Sequence, residues 1–404
     1  MPEASLDLLA VYLRRRPLEP VALLRTIRRP VELRDERGLL LAEVVDDLVR
    51  AEGARCATRE FREIEVERSL DSKRSEYLVR AVVDRFLEAG GIEEHPMLKL
   101  TRALGAPALA PAEVVLWPDG PTGGIDVLIG RTFSGSVLQL LHDDPLVRLG
   151  GDQEFVTLLR LRSMLRSYPE ILEGVTRSSL RQELAWVGNV VGAVRDSDVL
   201  AIRLRTNAER CAPEDRSGVA MLLAHLDDLA ADARRSMLES LKSERYIDLI
   251  DQLILATKGS MTLRTINDES VRRSKDDADL SAVRHAWSRL AEAVDLLESA
   301  PSDAVLHRVR ILAKRCRLCA EVVAQNVGPH AREFVIAITG IQDLLGEYHD
   351  SVIAESWLRA SLLPDSRIAA GELIFLERLA RESCWAAWPS QWSRASRKRL
   401  RDWF

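Results

Sequence analysis

The sequence predicts a mainly α protein: two pseudo-symmetric helical bundles preceded by a small α+β region. Three observations lead there. Aromatic residues make up only 5% of the 404, while Leu, Ala, Arg and Glu dominate, a composition that favours helix over sheet. Two polar motifs recur in the same order about 155 positions apart. Strand-like runs separated by turn signals occur only in residues 20–70.

The opening MPEASLDLLAVYLRRRP places Glu3 and Asp7 ahead of a short apolar run, which is not a signal-peptide pattern. Residues 21–33, 38–47 and 59–69 are rich in Val, Leu and Ile, and the turn residues Asp35-Glu36-Arg37-Gly38 separate the first two. Three strands are predicted. Residues 77–89 then read as a helix, with Leu78, Val82, Val83 and Phe86 on one face and Gly90-Gly91 as its stop. Pro107, Pro111, Pro118 and Pro121 mark 105–124 as a linker between a 1–104 region and a 125–404 helical domain. A charged, apolar-poor stretch at 264–279 is expected to be a loop dividing that domain into halves at 125–263 and 280–404.

The halves repeat one another. Arg160 and Arg162 in LRLRSMLRSY match Arg315 and Arg317 in AKRCRLCAEV at an offset of 155. Gly192 and Asp196 in VVGAVRDSDV match Gly346 and Asp350 in LLGEYHDSVI at an offset of 154. Each half therefore runs basic helix, spacer, helix ending in GxxxD.

The most informative stretch is HRVRILAKRCR at 307–317, which contains no acid. At 100° per residue, His307, Arg310, Lys314 and Arg317 fall on one side of a helix, and Val309, Leu312, Ala313, Cys316 and Cys319 on the other. A row of cations on a helix anchored by its apolar face suits a polyanion with evenly spaced charge, such as a chain of phosphates. A solvated helix face is the plainer reading, but such faces mix acids with bases. The net charge is −5 and the pI near 5.9, so no overall positive field brings an anion here, and any basic site is local.

Other motifs read as structural. The five cysteines, Cys56, Cys211, Cys316, Cys319 and Cys384, are too scattered for a disulfide framework, and Cys316 and Cys319 fit as small core residues. Asp196, Asp198, His349 and Asp350 follow glycines at helix ends, where they would orient the neighbouring arginines. The terminal Arg394, Arg397, Lys398, Arg399 and Arg401 could extend the anion surface or complement a helix C-terminus. No Walker loop, GxGxxG or GxSxG is present. No apolar run is long enough to cross a bilayer, so a cytoplasmic protein with no membrane partner is expected. Aromatics are not interleaved with the basic row, so nucleic acid is not the expected partner.

The stretches LHRVRILAKRCRLCAEVV and GIQDLLGEYHDSVIAESWL resemble the second half of a CHAD domain, the conserved histidine α-helical domain. EFVTLLRLRSMLRSYPEIL, LRQELAWVGNVVGAVRDSDVL and the closing RKRLRDWF resemble the rest. The resemblance implies a helical domain with two related halves that binds inorganic polyphosphate, and association with polyphosphate granules. It implies His307, Arg310, Lys314, Arg315 and Arg317 as binding residues, with Arg160, Arg162 and Arg166 from the first half. By the repeat offset, Asp152, Phe155 and Leu159 stand where the second half has His307, Arg310 and Lys314. A lopsided site dominated by the second half is therefore expected. His307 facing phosphate would make binding tighter at mildly acidic pH.

The N-terminal LEPVALLRTIRRPVELRDERGLLLAEVVDDLV and FREIEVERSL resemble the back part of a CYTH domain, the triphosphate tunnel family. That implies Arg25 and Arg28 as phosphate-facing residues and Glu63, Glu65 and Glu67 as the carboxylate strand. Alternate strand residues share a face, so three carboxylates could gather a hard cation such as Mg²⁺. The family's ExExK strand has no counterpart here, so a partial barrel with vestigial sites is expected, without a cofactor. The leading expectation is non-catalytic polyphosphate binding. The alternatives are an Mg-dependent triphosphate hydrolase of the CYTH type, if the missing N-terminal strands exist, and an α-helical interaction scaffold.

Overall fold

In a computed structural model of the chain, the residues described are 2–53, 56–69, 73–94, 97–115, 125–150, 156–167, 174–262, 280–361 and 363–404. They form two units, one of Met1–Arg14 with Glu113–Phe404 and one of Arg15–Ala112. The expected loop at 264–279 and linker residues 116–124, with Pro118 and Pro121, lie outside the described residues, while Pro107 of the linker sits in a 3-10 turn at Ala106–Leu109.

The smaller unit is a three-stranded antiparallel sheet of β1 (Leu23–Arg34), β2 (Leu40–Gly53) and β3 (Cys56–Arg68), in the order β1-β2-β3. It is followed by two helices, α3 (Lys73–Glu88) and α4 (Lys99–Leu104). β2 runs six residues past the 38–47 expected for it. From Val45 to Ala51 it alternates, with Val45, Asp47, Val49 and Ala51 buried and Asp46, Leu48 and Arg50 less so, and the polar Asp46-Asp47 pair breaks the apolar run in sequence without ending the strand. The Asp35–Gly38 turn is built as the sequence suggests. Asp35 Oδ1 accepts from the Arg37 and Leu39 N–H groups at 2.9 Å each, and Gly38 takes φ +80°.

The larger unit opens with two short helices, α1 (Glu3–Leu8) and α2 (Ala10–Leu13). The sequence division grouped them with the strands, and the structure corrects this. Val11 is fully buried in the helical core, Tyr12 donates to the Leu141 carbonyl at 2.8 Å, and Arg14 bridges Glu113 and Asp251. The described helices that follow are α5 (Ile125–Arg148), α6 (Val156–Ser167), α7 (Gly174–Ala208), α8 (Arg216–Lys242), α9 (Glu244–Thr262), α10 (Ser281–Asp295), α11 (Asp303–Val327), α12 (Pro329–Ala360) and α13 (Arg367–Ala395). None of the described helices is long and apolar enough to cross a membrane.

The two halves share their interior. One continuous cluster joins Phe133, Leu161, Leu184 and Tyr246 of the first half to Leu290, Val309, Phe334 and Ile341 of the second. A smaller cluster joins Leu204 and Leu222 to Leu358 and Leu373. The C-terminal residues close the larger core. Trp403 and Phe404 pack edge-on against Phe334, and Arg401 lies 4.9 Å over Trp287, which itself stacks on Trp392.

Candidate anion-binding site

Helix α11 forms where the sequence places its cation row. Ser302 takes the extended N-cap conformation, Asp303 complements the dipole in the first turn, and Gly328 ends the helix at φ +131°. Leu306, Val309, Ala313, Cys316, Ala320 and Val323 recur at three- and four-residue spacing and are all buried. Cys316 and Cys319 belong to this apolar face, and burial pushes the Cys316 thiol well above its ordinary range. They are core residues. The burial of this face fixes the opposite one, and with it Arg310, Lys314 and Arg317.

Those three side chains line a cavity of about 430 Å³. Arg160 reaches it from α6, Arg195, Asp196 and Arg203 from α7, and Gln342 and Asp350 from α12. Six cations and two carboxylates therefore meet in one cavity built from both halves. Arg203 is held by Glu347 at 2.7 Å and Glu377 at 2.6 Å, and Arg317 by Glu321 and Gln342 at 2.8 Å each. Among the described residues, Arg160 and Lys314 have no carboxylate partner. Arg310 has Asp196 and Asp350 as charged neighbours, yet its Nε is buried without a hydrogen-bond partner among the described residues. Burial, and then Arg310, Arg195, Arg317 and Arg162, hold the Lys314 ammonium down at about 8. Burial raises the carboxyl groups of Asp196 and Asp350, and nearby Arg310 opposes that rise in both.

The paired GxxxD motifs meet here, and they lie inside α7 and α12 rather than at the helix ends expected for them, since both helices continue for ten or more residues beyond. Gly192, Asp196 and Asp350 line the cavity, and a Cβ on Gly346 would stand 3.8 Å from Arg310 Nε. The two aspartates act on Arg310 through charge rather than through a hydrogen bond. The basic helices do not superpose residue for residue. Arg160 lines the cavity, but its repeat partner Arg315 does not, while Arg317 lines it and its partner Arg162 does not. Arg162, also on α6, lies against α7, with Nη1 3.9 Å from where a Cβ of Gly188 would be.

His307, Arg315 and Arg166 also lie outside the lining. His307 sits against His349 of α12, with ring centroids 4.3 Å apart, and its Nδ1 is buried without a hydrogen-bond partner among the described residues. Burial, His307 and Arg310 hold the His349 imidazole down at about 4, so it is neutral near pH 7. Arg315 is turned about 100° from Lys314 around α11, away from the cavity. Asp152 and Phe155 lie outside the described residues, as does the side chain of Leu159. The sequence reading missed Arg195 and Arg203. Arg195 is the repeat counterpart of His349 at the offset of 154, and that correspondence was the available signal. Of the terminal basic residues, Arg399 pairs with Glu333 at 2.8 Å, and Arg401 donates to the Ser396 carbonyl while covering Trp287.

The smaller unit's candidates are placed differently from the expectation. Arg25 and Arg28 are three residues apart on one strand, so they point to opposite faces and cannot grip one ligand together. Arg28 forks onto Asp47 at 2.9 and 2.7 Å. Lys99 reaches Asp47 at 2.6 Å and Glu65 at 3.0 Å, and Arg102 reaches Glu63 at 2.9 Å. Arg28, Glu63 and Glu65 are thus held by residues the expectation did not include, Asp47, Lys99 and Arg102. Arg28, then Lys99, holds the buried Asp47 carboxyl down at about 2.

A CHAD domain family model matches residues 133–359, more than half of the chain. The protein belongs to the CHAD domain family. It is 31% identical over 380 residues to the uncharacterized protein MT2285 of Mycobacterium tuberculosis strain CDC 1551 / Oshkosh, an alignment covering 89% of this chain and 71% of that one. The same figures hold for the uncharacterized protein Rv2226 of strain ATCC 25618 / H37Rv. Among solved structures, PptA from Streptomyces chartreusis superposes with a TM-score of 0.50 at 19% identity, covering 67% of this chain and 100% of that one. The CHAD domain from the plant Ricinus communis superposes with a TM-score of 0.49 at 21% identity, covering 69% and 91%. The CHAD match begins beyond the smaller unit, and it contains every residue of the cavity lining.

Proposed function

We propose that this CHAD protein binds inorganic polyphosphate in the α6–α7–α11–α12 cavity, and holds it without cleaving it. The observation that carries the reading is the meeting of six cations from both halves in one cavity of about 430 Å³, with only two carboxylates among them. Phosphate oxygens are the natural partners of such a lining, because guanidinium groups donate in forks that match them. The lining offers no hydroxyl, thiol or imidazole, and its two carboxylates, Asp196 and Asp350, lie within the charge of Arg310.

The test is calorimetric titration of the full chain with polyphosphate, using sulfate as the control anion. The triple variant Arg310→Ala, Lys314→Ala, Arg317→Ala should weaken polyphosphate binding by at least 100-fold, since one charge-assisted hydrogen bond is worth roughly 1.5–3 kcal/mol. Equal affinity in wild type and variant would remove this cavity as the site.

A further inference from the structure

Two carboxylates stand among the six cations of the cavity, and they are the ones that the repeat pairs. Asp196 on α7 and Asp350 on α12 close the GxxxD motifs of the two halves, and both line the cavity. In a site for anions each carboxylate opposes the ligand. Two arrangements turn that opposition to use: the carboxylate holds one of the site's cations, or it accepts a hydrogen from the ligand. Helical side chains lean over the preceding turn, so each aspartate reaches over the glycine of its own motif. At Gly346 that space is taken, since a Cβ there would stand 3.8 Å from Arg310 Nε. At Gly192 it is open, with nothing within 4 Å of where a Cβ would be. The motifs match and their surroundings differ. The repeat counterpart of Arg310 is Phe155, which carries no charge.

Asp196 is not held as the acids around it are. Glu377 and Glu347 accept from Arg203 at 2.6 and 2.7 Å, and Glu321 accepts from Arg317 at 2.8 Å. Among the described residues, no N–H or O–H donates to Asp196. The charges of Arg195 and Arg310 reach it, yet the buried Arg310 Nε makes no hydrogen bond among the described residues. An ionised carboxylate only accepts hydrogen bonds, so a group that pairs with it must bring the hydrogen. A terminal phosphate does, because its second proton is lost only at about pH 6. A sulfate has none to bring. Neither has an internal phosphate of a linear chain, whose one acidic oxygen is ionised well below neutral pH. Burial raises the Asp196 carboxyl, which brings its proton affinity closer to that of the phosphate and favours a hydrogen shared between them.

We infer that Asp196 is a specificity residue of the cavity: it accepts the P–O–H hydrogen of a terminal phosphate, so the site takes the end of a phosphate chain and disfavours proton-free groups such as sulfate and internal phosphate. This rests on the reading of the cavity as a phosphate site. The six cations bind phosphoryl oxygens of any kind. Asp196 sets the choice among them, because a ligand without that hydrogen leaves its charge facing an unpaired carboxylate. Asp350 serves instead as a counter-charge to Arg310.

The experiment titrates the full chain at about pH 6, where terminal phosphates keep a proton, with two ligands. Tripolyphosphate is linear, and trimetaphosphate is a ring of internal phosphates with no P–O–H. Wild type, Asp196→Asn and Asp350→Asn are compared. Each variant removes one charge from the same cavity, and a thermal melt checks the fold. Asp196→Ser repeats the test with a smaller neutral group, so the comparison survives an Asn variant that does not fold. Wild type is expected to bind the linear ligand about tenfold or more tightly than the ring, as one hydrogen bond to a charged group allows. Asp196→Asn should tighten the ring and bring that ratio to within about threefold. Asp350→Asn should change both affinities by a similar factor and keep the ratio. If wild type binds the two ligands equally, or if the two variants move the ratio alike, Asp196 acts by charge alone and this inference fails while the cavity stands. If wild type binds neither ligand, the cavity reading and this inference fall together.

Discussion

At the scale of single residues, charge in each unit has been settled in opposite ways. In the larger unit Lys314 is kept short of its ordinary proton affinity by burial and four arginines, and sits at about 8. A phosphate beside it would restore that affinity. Binding above pH 8 should therefore draw a proton onto the protein, and polyphosphate affinity should fall as pH rises from 7 to 9. Titrations at pH 8.5 in two buffers of different ionisation enthalpy measure the uptake, and Lys314→Arg should abolish it while keeping the ligand. The same shift acts on stability. Between pH 8 and 10.5 the unfolded chain binds a proton that the folded chain does not, so this group's contribution to stability rises with pH across that window. In the smaller unit Asp47 works the other way. Arg28 and Lys99 depress its carboxyl to about 2, so the stability it supplies is complete above its ordinary value of 3.8 and is lost as pH falls toward 2. Circular dichroism against pH should show Asp47→Asn unfolding with a shallower acid dependence than wild type in that range.

At the scale of elements, glycines and periodicity decide what packs where. Gly218 on α8 meets the start of α13 so closely that a Cβ there would stand 3.0 Å from the Asp365 carbonyl oxygen and 3.1 Å from Ala369 Cβ. Gly→Ala inside a helix ordinarily stabilises by about 1 kcal/mol, whereas overpacking costs about 1–3 kcal/mol. Backbone is the obstacle here, so Gly218→Ala should destabilise by about 1 kcal/mol in urea unfolding; stabilisation would show that α8 can shift. The same elements show what the sequence made legible. The α11 stripe was readable because an apolar face every three or four residues dictates where the opposite cations point. The strand edges were less so, since the polar Asp46-Asp47 pair breaks the apolar run of β2, and only the pairing of the buried Asp47 with Arg28 and Lys99 lets the strand continue through it. Arg195 and Arg203 were hidden because they alternate with acids and aliphatics along α7, and only the approach of α11 and α12 gathers them into the site. Arg315 misled for the converse reason: it belongs to the acid-free run in sequence, but one step around the helix carries it off the cavity.

At the scale of the whole molecule, a protein of net charge −5 gathers six cations in one cavity between the two halves of its CHAD domain. The repeat explains the location, since the GxxxD helices bring Asp196 and Asp350 to one cavity. It does not impose symmetry, because the second half supplies three cations from its basic helix and the first half supplies two of its three from the helix that follows. Net negative charge elsewhere means that attraction of a polyanion is local and that each contact with phosphate releases counterions. The most direct measurement is the salt dependence of polyphosphate affinity in wild type and in the Arg310→Ala, Lys314→Ala, Arg317→Ala variant. With about 0.7 log units of slope per neutralised phosphate on a single-stranded polyanion, the three substitutions should flatten the log–log slope by about 2 as well as weaken binding. Parallel lines for the two proteins would contradict the placement of the ligand in this cavity.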